Sequence, residues 1–203
     1  MAYSDFTLSS ACSAFDITLE EGRSLFDSIP ETAIPDSLNA FLQRYVPLAT
    51  AINSEKGRSE FIVAPVLGEV RELADTHLSL FSGREFNVDP SIGLVGFCDF
   101  ILSLSSEQLF VKSPVMMIVE AKNENIIGGL GQCLASMVAA QIFNQNQGSH
   151  VSIIYGAVTS GTNWRFLKLK QKIAAIDSKE YYINEINKIL GILLSCTQQP
   201  VLV

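Results

Sequence analysis

The chain has 203 residues, of which 48% are apolar and 17% charged, and its formal net charge is −7. This length suits one domain with a full hydrophobic core, and the apolar content excludes a disordered protein. The acidic balance argues against a protein that coats nucleic acid non-specifically, because phosphate binding needs local positive charge.

The first fifty residues predict an N-terminal helical extension, residues 1–50. A helix is expected to start at residues 16–21, with Thr18 as N-cap and Glu21 as its capping-box partner. A second short helix is expected from Asp36 to near Pro47, where proline should end it.

The rest of the chain, residues 51–203, predicts an α/β domain. A helical pattern from Asn53 to Ala74 contains Glu60 and is interrupted by Pro65, which should kink or restart it. This mixed order of helices and strands implies an α/β sandwich around a mixed sheet. In chain order the elements that follow are strands near 78–88, 94–104 and 115–121, a helix at 130–143, strands at 151–158 and 163–170, and a helix at 180–195.

A charged pair at the end of the third strand is the most informative feature. Five apolar residues run directly into Glu120, Ala121 and Lys122, and strand alternation projects Glu120 and Lys122 from one face. Burying an acid and a base there is costly unless something pairs with them. Since Asp99 interrupts the preceding apolar strand, the sequence predicts a divalent-metal site with an activated water. The short connection between these strands predicts that they are adjacent and antiparallel.

Six residues fall at matching points of this element order: Glu60, Asp99, Glu120, Ala121, Lys122 and Gln132. Together with the order, over roughly residues 53–170, they resemble the restriction-endonuclease-like superfamily, usually called PD-(D/E)XK. The resemblance implies a three-layer α/β/α core of order αβββαβ and a metal-dependent nuclease. The chain departs from the superfamily's name in having Cys98 where the name has proline.

The resemblance also implies roles for these residues. Asp99 and Glu120 would bind Mg²⁺ or Mn²⁺, Glu60 would complete or support the metal shell, and Lys122 would position or polarise the attacking water. From the residues themselves, the main-chain carbonyl of Ala121 is placed to offer one further hard oxygen ligand.

Plainer interpretations remain open for several of these residues. The Glu-x-Lys pair could be a surface ion pair at a strand end, and Asp99 could be a turn residue. Gln132 would stabilise the site from the following helix, or it could be an ordinary first-turn residue. Glu60 could be a solvated helix residue, in which case Glu69 or Glu72 could substitute for it.

The basic concentration of this acidic chain lies at its fifth predicted strand. Arg165, Lys168 and Lys170 could form a strip for a phosphate backbone. The alternative is a solvated edge strand whose lysines discourage edge-to-edge pairing. Trp164, the single tryptophan, is expected in the core.

The leading function is a metal-dependent nuclease acting on nucleic acid, with DNA favoured over RNA. A homodimer or a partner protein would fit double-strand cutting. The alternatives are a non-catalytic binding or regulatory module that keeps the nuclease fold, and a structural partner domain. We expect a cytoplasmic protein, because the four cysteines are scattered, no secretory signal is visible and no apolar run reaches the roughly 18 residues of a membrane span.

Overall fold

The structure is a computed structural model that describes residues 1–199 and 201–202. A π-helix, Ser59–Val63, joins the helices Glu55–Arg58 and Ala64–Leu73 without a break. The helices are α1 (Leu8–Phe15), α2 (Asp36–Ile52), α3 (Glu55–Arg58), α4 (Ala64–Leu73), α5 (Ile126–Asn146) and α6 (Ile186–Thr197). The strands are β1 (Thr18–Glu20), β2 (Ser79–Glu85), β3 (Phe97–Ser103), β4 (Val115–Ala121), β5 (His150–Val151), β6 (Ile154–Thr159), β7 (Asn163–Lys170), β8 (Ile173–Ile176), β9 (Tyr181–Tyr182) and β10 (Val201–Leu202).

An eight-stranded mixed sheet organises the fold, which confirms the predicted α/β class. Its order is β1-β8-β7-β6-β4-β3-β2, with β9 paired to β7, while β5 and β10 form a separate two-stranded sheet. The β4–β6 and β1–β8 pairs are parallel. As predicted, β3 and β4 are neighbouring antiparallel strands, which places Asp99 and Glu120 on adjacent strands.

Helices cover both faces of this sheet. Helices α1 and α5 pack on one face, and α2, α4 and α6 contribute to a second core on the other face. Every residue of β4 is buried, because the strand lies inside the sheet with helices on both sides. That position explains why its sequence is a continuous apolar run rather than an alternating one.

The first fifty residues differ from the prediction at two points. The helix expected at residues 16–21 is wrong: α1 ends at Phe15, its C-cap Asp16 has a left-handed φ of 53°, and Thr18–Glu20 forms strand β1. A long-range parallel pairing with β8 overrides the local capping signal there. Helix α2 also continues through Pro47, which lies on the exposed side where the backbone carbonyl it frees can bond to water.

Other boundaries also shift: the last helix begins at Ile186 rather than residue 180, after strand β9, and the strand predicted at 151–158 divides into β5 and β6. The predicted interruption near Pro65 coincides with the start of α4, directly after the π-helix, where a residue without an N–H is tolerated. Helix α5 begins at Ile126 rather than near residue 130, because the side chain of Asn125 accepts the Gly128 amide as N-cap. By length and composition α5 could cross a membrane, but most of it is buried inside the protein, as in a core helix.

Candidate functional site

The site forms where β3 and β4 stop pairing. Regular register ends at Phe100 opposite Val119. Beyond that pair, the amide of Ala121 donates to the Asp99 carboxylate at 2.8 Å instead of to a strand carbonyl. The next amide, that of Lys122, donates to a β6 carbonyl at 2.8 Å, so β4 stays anchored on its other side. The sheet therefore opens beside Asp99 at the carboxyl end of β4.

Glu120 lies wholly buried beneath helix α5. Gln132 donates from its side-chain amide to Glu120 Oε2 at 2.7 Å, and Ser136 donates from its hydroxyl to Oε1 at 3.3 Å. These two donors are four residues apart, so they share one face of α5. The structure thus places the predicted Gln132 against Glu120 and adds Ser136, which sequence reasoning missed because nothing marks a serine inside a helix.

The electrostatics of Glu120 are unfavourable without a further cation. Burial, followed by the negative charge of Asp99, raises the pKa of the Glu120 carboxyl well above its usual range. The Lys122 ammonium and the Ser136 hydrogen bond act in the opposite direction and lower it. The raised pKa means that they do not offset the burial and the like charge. A divalent cation between the two carboxylates would relieve this repulsion.

Lys122 lies against helix α5 and approaches the Asp99 carboxylate. Its ammonium nitrogen lies 4.0 Å from Asp99 Oδ2, and its side chain is about one-fifth exposed. The lysine stem runs over Gly129: a Cβ added at this glycine would lie 3.0 Å from Lys122 Cγ and 3.1 Å from Cε. The missing side chain at position 129 therefore makes room for Lys122 to lie in the site.

An open cleft of about 250 Å³ gives access to Asp99 and Ala121. Glu60 stands on the π-helix at the opposite wall, exposed and paired with Lys56 at 2.9 Å. Local π-turns inside longer helices are frequent at functional sites. The structure thus brings Glu60 to the same cleft as Asp99, although the carboxylate of Glu60 forms its ion pair with Lys56. The other lining residues are Glu55, Lys56, Ser59, Ser82 and Gly83.

The donor set fits a hard divalent cation with few protein ligands. Among residues 1–199 and 201–202, no three Asp, Glu, His or Cys side chains form a ready-made metal cluster. Asp99 and Glu120 supply two carboxylates. Because the N–H and C=O of a strand residue point the same way, the Ala121 carbonyl faces the side of Asp99. Mg²⁺ is commonly bound through one or two carboxylates while keeping several waters, so this set is compatible with it.

A buried arginine braces the wall that carries Glu60. Arg58 donates to the Ser160 carbonyl at 3.2 Å and to Thr162 Oγ1 at 3.1 Å, both in the β6–β7 turn, and to Asn53 Oδ1 at 3.3 Å. These contacts tie α3 to the strand end next to β4. Nothing in the sequence marks Arg58, because Ser160 and Thr162, which it contacts, lie about a hundred residues away.

The three predicted phosphate-binding side chains are not brought together. Arg165 donates to the Asp177 carbonyl at 3.2 Å. The ammonium of Lys168 lies 4.2 Å from the centre of the Phe26 ring, and burial lowers its pKa. Lys170 is exposed. Strand alternation also places Arg165 on the face opposite to that of the two lysines.

Comparison with known proteins adds no functional information to the geometry of the site. No protein-family model and no curated protein gives a significant match to this sequence. Within the described chain, Asp99 contacts the Ala121 amide, Gln132 contacts Glu120, and Lys122 approaches Asp99. Any functional assignment has to rest on these contacts.

Proposed function

We propose that the chain is a metal-dependent nuclease that hydrolyses phosphodiester bonds, of DNA in preference to RNA. The observation that carries the proposal is the wholly buried Glu120, held by two α5 side chains beside Asp99 and Lys122. Buried like charges destabilise a fold and are readily replaced by neutral residues where they serve no function. Their presence beside the opening between β3 and β4 favours a catalytic role.

The topology supports a restriction-endonuclease-like core. Helices α3 and α4 precede the antiparallel strands β2, β3 and β4, and α5 then leads to β6, which is parallel to β4. That is the order αβββαβ, with helices on both faces of the sheet. We therefore assign the three-layer core to this superfamily as part of the same proposal.

The side chains have separable roles in this proposal. Asp99 and Glu120 hold Mg²⁺ or Mn²⁺, with the Ala121 carbonyl as a third oxygen ligand. When bound, the cation supplies charge neutralisation at the phosphate and a hydroxide-like water. The Lys122 ammonium holds that water and offsets negative charge that develops on the phosphate. Gln132 donates to Glu120 and thereby fixes the direction of its carboxylate.

The test is cleavage of single- and double-stranded DNA and RNA with Mg²⁺ or Mn²⁺. Glu120→Ala should lose both cleavage and metal binding. Lys122→Ala should lose at least about 10²-fold in cleavage, as for removal of one transition-state donor, and keep metal binding in calorimetry. Glu124→Ala, an exposed carboxylate just beyond the site, is the matched control and should cleave normally. Cleavage that survives both site variants would mean a contaminant or a different site.

A second candidate is a non-catalytic binding or regulatory module with the same fold. The engaged Arg165 and Lys168 and the net charge of −7 favour it, because they leave little positive charge for a phosphate backbone. Absence of cleavage with every metal, substrate and partner protein would establish this alternative. We place the protein in the cytoplasm under either proposal, on the basis of its scattered cysteines.

A further inference from the structure

A buried arginine beside the cleft has no anionic partner within the described chain. Arg58 is 7% exposed, and its hydrogen bonds go to the Ser160 carbonyl, the Thr162 hydroxyl and the side-chain oxygen of Asn53. All three acceptors are uncharged, and none of the ion pairs among the described residues includes Arg58. Buried charges are normally paired, because removing them from water is costly. Arg58 therefore keeps an unneutralised positive charge inside the protein.

The two sides of its guanidinium group are used differently. Nη1 makes both contacts to the β6–β7 turn, at 3.2 Å to the Ser160 carbonyl and 3.1 Å to Thr162 Oγ1. On the other side, Nε is buried without a hydrogen-bond partner in the described chain, and Nη2 donates to Asn53 Oδ1 at 3.3 Å. The N–H groups of Nε and Nη2 point in the same direction and form a fork that matches two oxygens of a phosphate. Only Asn53, among the described residues, bonds to this fork of Arg58.

Asn53 covers the fork and is held there weakly. It is the exposed C-cap residue of α2, and its φ of 49° is left-handed. Its side-chain amide donates to the exposed Glu124 at 3.3 Å, so that carboxylate stands behind Asn53 rather than against Arg58. Both contacts of Asn53 exceed the usual N–H···O range of about 2.7–3.2 Å. A phosphate oxygen that displaces the Asn53 side chain would replace a weak neutral contact with a charge-assisted one.

Arg58 lies beside the proposed catalytic site and not in it. Its anchor Ser160 follows Thr159, which pairs with Ala121 at the carboxyl end of β4. Asp99 lies one strand further, on β3. Neighbouring strands are about 4.8 Å apart, so two spacings separate these points by roughly 10 Å. A phosphate bound by Arg58 would thus be a neighbour of the scissile phosphate on the same strand.

We propose that the Nε and Nη2 fork of Arg58 binds a backbone phosphate of the substrate, next to the phosphate that is cleaved. This proposal rests on the proposed nuclease function and adds a binding subsite to it. The Arg165 and Lys168 side chains are engaged elsewhere in the protein. One aligned phosphate contact can fix the register of a strand without an extended basic surface. Arg58 acts by positioning, and the chemistry stays with the carboxylates and the lysine.

The first experiment measures anion binding without cleavage. Thermal unfolding is followed in EDTA, with inorganic phosphate or with sodium chloride at the same ionic strength. About 50 mM phosphate should raise the melting temperature of wild type by about 2–5 °C, in a saturable way. Arg58→Gln should lose this phosphate-specific increase.

Two further variants complete this experiment. Arg71→Gln is the matched control, because it removes the same charge from an exposed arginine about 20 Å further along the same helical run, and it should respond as wild type does. Asn53→Gly suits the left-handed φ and uncovers the fork, so it should bind phosphate at least as tightly as wild type. Weaker phosphate binding by Asn53→Gly would contradict the assignment even if Arg58→Gln did not fold.

The second experiment changes the substrate. Each phosphate of an oligonucleotide is replaced in turn by an uncharged methylphosphonate, and binding is measured in EDTA. One replacement should weaken wild-type binding about 10- to 100-fold, as loss of one hydrogen-bonded charge contact predicts. Arg58→Gln should bind the natural oligonucleotide more weakly by the same factor, lose nothing further at that position and reduce the salt slope by about 1. In cleavage assays the loss should appear in KM more than in kcat.

The outcomes separate the two proposals. A phosphate-specific increase that persists in Arg58→Gln would overturn the subsite. So would indifference of wild type to every methylphosphonate, which together with stabilisation by phosphate would mean that a free anion is the ligand. A position-specific loss in EDTA without cleavage under any condition would contradict hydrolysis and leave the subsite intact. Cleavage that depends on Glu120 and Lys122 but is indifferent to Arg58→Gln would contradict the subsite and leave hydrolysis intact.

Discussion

Replacing Glu120 by glutamine keeps the shape of a buried side chain and removes its charge. The new amide can still accept from Gln132, and the repulsion with Asp99 disappears. Replacement of buried ionic groups by uncharged side chains of similar volume is often neutral or stabilises a protein by about 1–4 kcal/mol. For a chain of this size each kcal/mol shifts the melting temperature by roughly 2–4 °C, so without metal Glu120→Gln should melt up to about 16 °C higher at pH 8.

The increase in stability of Glu120→Gln over wild type should depend on pH in a defined direction. Because the pKa of Glu120 is raised in the folded protein, the folded state binds this proton more tightly than the unfolded state. The resulting stability is fully present below the unfolded-state pKa, near the ordinary value of 4.5, and is lost as pH rises through the folded-state pKa. The difference between Glu120→Gln and wild type should therefore be small near pH 4.5 and grow toward pH 8.

A divalent cation should narrow that difference. If Mg²⁺ binds wild type with a Kd of about 1 mM, then 10 mM Mg²⁺ adds about 1.4 kcal/mol to the free energy of unfolding. Glu120→Gln lacks one ligand and should gain much less. Thermal unfolding by circular dichroism, at several pH values with Mg²⁺ or EDTA, gives all of these quantities. A variant that is less stable than wild type at pH 8 in EDTA would refute the view that the buried charge is held at a cost.

Two further substitutions test the packing around the site. Gly129→Ala would place its Cβ 2.7 Å from a valine of β6 and 3.0 Å from the Lys122 stem. Overpacking of this kind should lower the free energy of unfolding by about 1–3 kcal/mol. The rate of cleavage should fall by more than this loss of stability explains, because the Lys122 stem is displaced. Gly68→Ala, in a helix with open space around it, is the control and should raise stability slightly in the same denaturation assay. Asn144→Ala removes two 2.7 Å hydrogen bonds to the backbone of the first residue of β4 and should cost about 2–4 kcal/mol in urea unfolding. Exposed Asn146→Ala should change stability by less than about 0.5 kcal/mol, and equal effects of the two asparagine variants would contradict this assignment.

Strong local patterns predicted the central strands well. Strands β4 and β7 have the predicted bounds, because each is a clear run of strand-forming residues. Strand β1 was missed for the opposite reason. It has only three residues, and its Thr18 offered a plausible helix cap, so pairing with β8 decided the outcome. Such long-range pairing leaves no local signal in a short, partly exposed segment.

The same distinction runs through the candidate site. Asp99 and Glu120 could be found because charges inside apolar strands are anomalies that a sequence displays directly. Ser136 and Arg58 could not, since a serine in a helix and an arginine near a helix start are ordinary until their distant partners are known. The prediction that Arg165 and Lys168 form one basic strip conflicts with strand alternation, because residues three apart on a strand lie on opposite faces.

The walls of the cleft differ in stiffness. On one side, Arg58 bonds α3 to the β6–β7 turn, and the turn's Gly161 fits so closely that a Cβ there would lie 3.0 Å from Ile62. On the other side, Ser82 and Gly83 lie exposed on the edge strand β2, and a Cβ at Gly83 would meet no atom within 4 Å. We therefore expect the edge strand, rather than the opposite wall, to move when a substrate wider than the cleft enters. Amide hydrogens of β2 beside the cleft should exchange with solvent sooner than those of β4. The distance by which β2 can move would then set the largest substrate that the cleft accepts.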